Sequence, residues 1–442
     1  MPGLSSMSTG TTDLSSHRRG RVRGSLGRVS VVALLLLASL GLAACSDDTP
    51  PPTYSGESNP DVAKLLQRTL NQRAAALVDE DVARFRRTLD RTDSGLLDDQ
   101  QTYFDNVAQL PIEKLRLRLV RGSLNPVEGS EDYWAEIVVA LQLRGYDAAP
   151  VRTRDRFLFT PSRDGKRMVI SSTTDYDWEA EHPANVLPWD LGSIHVEESA
   201  GVLGIFDDST RSHAEAVIDA ASMGRYDVRA AIGAADAPDD TGVIVYALQD
   251  PTFLRGVAGQ TIGDPDRADG LTIAMPTDAS RRNSDVASYR IFLNPRVLGE
   301  SDGVLGRLVR HELTHASLGA RGRGAPLWLT EGIAEYVSVQ PMPESRRRLP
   351  ADALAVGEAA TDLPGQAEFS GSEAEAWYAV SWWVCEYIAR AYGQPVLLDL
   401  LDQLDDGADQ AEVLSDALGI SSAELTQRGV ALMSTTYSGR GD

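Results

Sequence analysis

The chain has 442 residues, with 42 Lys and Arg against 64 Asp and Glu and only two cysteines. Five of the cations and one of the acids lie in residues 1–44, so the remainder carries a formal charge of −26. That acidity excludes nucleic acid as a partner held by charge attraction. The scarcity of cysteine excludes a disulfide scaffold, so stability must come from buried apolar surface.

Residues 1–44 read as a targeting segment outside the fold. Arg18, Arg19, Arg21, Arg23 and Arg28 make a basic start, and an apolar stretch follows from Val29 to Leu42. At 14 residues it is short for a membrane span. It ends Leu42-Ala43-Ala44-Cys45, which resembles a bacterial lipoprotein signal. The resemblance implies cleavage before Cys45, a lipid on its thiol, and attachment to the cell membrane on the extracytoplasmic face. Cys385 is then the one remaining thiol. Residues 45–60, with Asp47-Asp48-Thr49-Pro50-Pro51-Pro52 and Ser55-Gly56-Glu57-Ser58, cannot bury a core and are expected to form a flexible tether.

Residues 61–190 form the first expected domain. From Asp61 to about Leu89, apolar residues recur at three and four, which predicts an amphipathic helix. Strand patterns follow at Lys114–Val120, Tyr133–Leu143, Arg156–Thr160 and Met168–Ser172, the last after an Asp164-Gly165 turn. A leading helix before a curled antiparallel sheet resembles the nuclear-transport-factor-2-like fold in element order. No catalytic cluster is visible there, so binding or spacing is the expected role. Glu179 to Pro188 marks the boundary.

Residues 191–442 form the second. Strands are expected at Ser193–Val196, Gly242–Tyr246, Leu271–Met275 and Tyr289–Leu293, and a helix at His213–Met223. The segment Arg310-His311-Glu312-Leu313-Thr314-His315 carries the chemistry. Val304, Leu305, Leu308, Val309 and Leu313 keep a helical spacing around it, Ser301 or Asp302 can cap its start, and Gly319, Gly322 and Gly324 end it. On a helix, residues four apart share a face, so His311 and His315 can grip one metal ion, with Glu312 beside the open position. A second helix over Pro326–Tyr336 follows a short Gly-rich turn and can pack antiparallel, bringing Glu331 back towards the two histidines. Glu335, one turn on, suits acceptance of a ligand histidine's free N–H. Further helices are expected at Glu373–Gly393, Val396–Leu404, Ala411–Leu418 and Ser422–Met433. His182, His195 and His213 have no ligand spacing and are expected to be structural or exposed.

His311-Glu312-x-x-His315 followed by Trp-Leu-x-Glu331-Gly-x-Ala-Glu335-Tyr resembles the gluzincin metallopeptidases, in particular the bacterial peptidase MA-like group. Many gluzincins carry Asp where this chain has Glu335. The resemblance implies His311, His315 and Glu331 as ligands of Zn2+ and Glu312 as the general base that activates water. Tyr378 is the candidate donor to the developing oxyanion. The expectation is therefore an α+β protein: a nuclear-transport-factor-2-like domain, then a zincin-type domain with a mixed sheet and a helical C-terminal part. Its expected activity is zinc-dependent hydrolysis of a peptide or protein substrate outside the cytoplasmic membrane. The alternative is a non-catalytic cell-envelope lipoprotein that binds through its first domain and carries a degenerate hydrolase half.

Overall fold

The computed structural model describes residues 59–182, 185–233, 241–256, 268–278, 281 and 284–437. The expected signal, Cys45 and the tether up to residue 58 lie outside the described residues. Among the described residues, no helix is long and apolar enough to cross a membrane.

The chain enters through helix α1 (Pro60–Val78), whose start is fixed by Pro60 and by the Asn59 side chain accepting from the Val62 N–H at 3.2 Å. The expected single helix over residues 61–89 is interrupted. Glu80 takes a left-handed φ of 53°, and Asp81 starts a new helix, α2 (Val82–Arg86), by capping the Arg84 N–H. The apolar spacing survives this break because both pieces face the same core, through Leu66, Leu70, Leu77 and Phe85. A third helix, α3 (Ser94–Val107), is capped by Asp93.

These helices lie against a five-stranded antiparallel sheet. Its strands are β1 (Ile112–Leu119), β2 (Asn125–Pro126), β3 (Tyr133–Leu143), β4 (Val151–Pro161) and β5 (Met168–Ser172), in the order β1-β3-β4-β5 with β2 beside β3. Helix α1 clasps the edge strand. The Gln67 side chain accepts from the Leu119 N–H at 3.0 Å and donates to the Leu117 carbonyl at 2.9 Å, closing two groups an edge would leave open. A short helix, α4 (Tyr176–Glu181), leads out of the sheet.

The second sheet is mixed: β6 (His195–Ser199), β7 (Val202–Phe206), β8 (Val243–Ala247), β9 (Gly270–Pro276) and β10 (Val286–Leu293), ordered β6-β7-β8-β10-β9. The pairs β7/β8 and β8/β10 are parallel; β6/β7 and β10/β9 are antiparallel. Both faces of the middle strands are buried, which explains their unbroken apolar runs. Val202, Phe206, Val243, Val245 and Ile291 face one core. Leu203, Ile205, Ile244, Tyr246 and Phe292 face another, which is continuous with the interior of the first sheet. A polar seam joins the two sheets. Arg290, 1% exposed, donates to Asp147 at 3.1 Å and to the Tyr246 hydroxyl at 2.5 Å.

The helical face carries α5 (Ala214–Ile232), α6 (Asp302–Leu318) and α7 (Leu327–Val339). They are followed by α8 (Ala353–Ala359), α9 (Gln366–Phe369), α10 (Ala374–Ala391), α11 (Gln394–Asp405), α12 (Gln410–Leu418) and α13 (Ser422–Tyr437). Ser301 occupies the cap position of α6, but its side chain makes no capping bond; the acid of Asp302 lies in the first turn instead. Gly319 ends α6 with a φ of 57°. Helix α7 runs against α10 so closely that a Cβ on Gly332 would lie 2.6 Å from the Cys385 Sγ and 2.7 Å from the Ser381 carbonyl. The glycine within Glu331-Gly332-Ile333 is thus set by packing rather than by a turn.

Candidate metal centre

The site is built on two adjacent helices and one strand. Arg310 ties α6 to its neighbours: its Nε donates to the Ser338 carbonyl of α7 at 2.8 Å, and its Nη1 lies 3.6 Å from Asp227 of α5. This anchoring fixes the face that carries His311 and His315. Leu305, Val309 and Leu313 are buried on the opposite side.

The two Nε2 atoms are 3.2 Å apart. One oxygen of Glu331, in the second turn of α7, lies 3.3 Å from each of them. Three atoms with lone pairs thus make a nearly equilateral triangle, and these three residues form a cluster able to hold a metal ion. The fit can be tested by geometry. Zinc–ligand bonds of about 2.0–2.1 Å at tetrahedral angles place neighbouring ligand atoms about 3.3 Å apart. The observed edges match that spacing, and the donor set of two imidazoles and one carboxylate suits zinc chemically.

Each group's protonation follows from its neighbours. Burial would lower the His311 pKa, but hydrogen bonds to Glu331 and Glu335 outweigh it and hold it well above the usual imidazole range. Burial would raise the Glu331 carboxyl; the charge of His315 and hydrogen bonds from both histidines instead hold it far below the carboxylate range. The ionised carboxylates of Glu331 and Glu335 thus face His311 from two sides and give the site the negative charge that suits a cation.

Glu335 lies behind His311, its Oε1 3.3 Å from Nδ1, and its Oε2 accepts from Arg307 Nη2 at 2.5 Å. Glu335, with its longer side chain, thus comes within ion-pair distance of the outer nitrogen of His311. Arg307 was not among the residues the sequence singled out. Its position four before His311, on the same helix face, is the signal that could have found it.

Glu312 is 5% exposed and reaches β9, the last strand in the order of the second sheet. The Thr272 hydroxyl lies 2.7 Å from its Oε2 and 2.9 Å from its backbone carbonyl. Gly270, two residues earlier, leaves room for the same carboxylate: a Cβ there would stand 2.8 Å from Oε1. Neither contact has a local sequence signal, because both depend on the sheet order. Tyr378, half-buried on α10, sets its ring 6.4 Å from that of His311 and edge-on to Phe369. Burial and then the charges of Glu331, Glu312 and Glu335 raise its pKa, so the phenol keeps its proton.

The other histidines lie elsewhere. His182 stacks on Trp178, His195 meets Asp208 at 2.7 Å, and His213 precedes α5. Comparison with protein-family models and with curated proteins finds no match for this chain.

Proposed function

We propose that this chain is a zinc-dependent peptidase, held by a lipid on Cys45 to the extracytoplasmic face of the cell membrane. In this reading residues 61–190 are a nuclear-transport-factor-2-like domain and residues 191–442 a gluzincin-type hydrolase. The observation that carries the reading is the triangle of His311, His315 and Glu331, with edges of 3.2 to 3.3 Å.

His311, His315 and Glu331 would hold the ion, and zinc when bound supplies a Lewis acid that makes water more acidic and polarises a carbonyl. Glu312 takes the proton from the attacking water and delivers it to the leaving amine. Thr272 and Gly270 keep the Glu312 carboxylate in place. Glu335, steadied by Arg307, fixes the ring orientation of His311. The protonated phenol of Tyr378 donates to the developing oxyanion. As the end strand of the second sheet, β9 would offer its outer backbone groups to an extended substrate.

The test combines metal content with turnover. Purified protein should hold about one zinc per chain, and Glu312→Gln should keep that zinc while losing hydrolysis of a mixed peptide pool by several orders of magnitude. Undiminished turnover in Glu312→Gln would end the claim.

A further inference from the structure

The first sheet turns a cationic face outward, in a chain that is otherwise strongly acidic. Strand register sets it up. Arg116 of β1, Ala140 of β3 and Arg152 of β4 form one rung; Arg118, Val138 and Arg154 form the next. Each rung places a guanidinium on either flank of a small apolar residue. The result is a groove of about 380 Å³, with Val138, Ala140 and Pro150 in its floor and Lys114, Arg116, Arg118 and Arg152 along its walls. Some of this charge is balanced: Lys114 meets Glu113 at 3.2 Å, and Arg154 meets Glu136 at 3.6 Å. Among the described residues, no carboxylate stands within ion-pair distance of Arg116, Arg118 or Arg152, and all three are exposed. Like charges gathered without counter-charges repel one another, so the face is set for an anion supplied from outside.

The groove does not end on the first sheet. Arg152 also lines a second depression of about 390 Å³ with Thr277, Asp278, Arg281, Ser284 and Asp285, at the base of the β9–β10 hairpin. The Arg152 N–H donates to the Thr277 carbonyl at 3.2 Å. In that depression Arg281 is paired with Asp278 at 3.5 Å and a second acid, Asp285, stands in the lining, so it adds no net positive charge and serves only to join the groove to β9. From Thr277, β9 runs back to Gly270 beside Glu312. Seven residues of strand cover roughly 24 Å. A chain stretched along the outer edge of β9 would therefore leave the reacting centre at one end and reach the cationic groove at the other.

We infer that this groove is a substrate exosite for an acidic, extended polypeptide segment lying about seven to ten residues from the bond to be cut. The inference rests on the peptidase reading and adds a preference to it. The link through Arg152 to β9 favours a polypeptide over a lipid head group, which has no use for a path leading to Glu312.

The experiment uses the full-length Glu312→Gln chain loaded with zinc. Fluorescent peptides carry a randomised six-residue core and, about eight residues away on either side, four Glu or four Asn. Anisotropy should show the Glu-tailed peptides bound about tenfold more tightly at low salt, the advantage disappearing near 0.5 M salt. Arg116→Glu with Arg118→Glu should abolish that advantage without changing the affinity for Asn-tailed peptides. Equal affinity for both tails would overturn the inference. So would a case in which the double variant loses binding only to phosphatidylglycerol vesicles, since the face would then serve a membrane. Turnover by the unmutated zinc protein is measured in parallel. If no peptide is cut while tail-dependent binding persists, the peptidase reading fails and the inference of a substrate exosite falls with it. If peptides are cut regardless of tail, only the exosite falls.

Discussion

Gly270→Ala tests the confinement of Glu312 by the edge strand without touching any atom that would bind metal. The added methyl would stand 2.8 Å from Oε1, 2.9 Å from Cγ and 3.1 Å from Cδ of Glu312. Ordinary contact between heavy atoms begins near 3.5 Å, so the carboxylate has to retreat by roughly half an ångström or more. It has little room to do so, being 5% exposed and held on its other oxygen by Thr272. A displacement of about 1 Å in a reacting group costs about 100-fold. The expected loss in kcat/KM is thus about 10- to 100-fold, or roughly 1.4 to 2.7 kcal/mol at the transition state. Steady-state cleavage of a peptide pool measures it, with zinc content determined on the same sample and expected to stay at about one per chain. If Gly270→Ala turned over like the unmutated protein while Glu312→Gln was inactive, β9 would not confine the base and the reasoning from contact distances would be wrong.

Three further outcomes follow from other contacts. Arg307→Met removes the cation that holds Glu335 against His311 and should weaken zinc affinity by about 10- to 100-fold, read by competition with a chelator; unchanged affinity would show that Glu335 needs no support. Gly332→Ala drives a methyl into the Cys385 sulfur and the Ser381 carbonyl and should cost about 1–3 kcal/mol in urea unfolding, whereas a change within 0.5 kcal/mol would mean the α7–α10 contact yields freely. Asp155→Asn probes the interior of the first sheet. Burial, then the charge of Asp190, pushes the Asp155 carboxyl well above its ordinary range. The folded state therefore binds that proton more tightly than the unfolded chain. The stability this gives is present at low pH and is lost as pH rises through the folded value. The Asn variant should be more stable than the unmutated protein at pH 8 and gain less at pH 5; a uniform shift at both would refute the linkage.

The metal triangle was legible because its geometry is local. His311 and His315 are joined by one helical turn, and Glu331 follows a short Gly-rich turn that lets the second helix pack back against the first. Glu335 came with it, by helical spacing alone. Arg307 had the same kind of signal, but an arginine on a helix face is too common to stand out. Thr272 and Gly270 had none, since their nearness to Glu312 arises only when β9 is placed at the sheet edge outside β10. The same division runs through the fold. Strands β3 and β5 show their pattern plainly. Helix α3 does not, because Asp98, Asp99, Gln100 and Gln101 fill its middle and Gln100 is buried for a specific bond to Arg73. Strand β7 is a five-residue apolar run buried on both faces and has no alternation to betray it. The break at Glu80 is hidden by apolar residues on either side that keep the helical spacing.

The seam between the two sheets bears on how this chain can be cut and recombined. Leu203, Ile205, Ile244, Tyr246 and Phe292 of the second sheet share one interior with Leu66, Phe85 and Ile137 of the first. A fragment beginning near residue 191 would bare a broad oily surface and orphan the Arg290 guanidinium that Asp147 now neutralises. Such a fragment should be insoluble, and residues 191–442 could stand alone only if something else covered that surface.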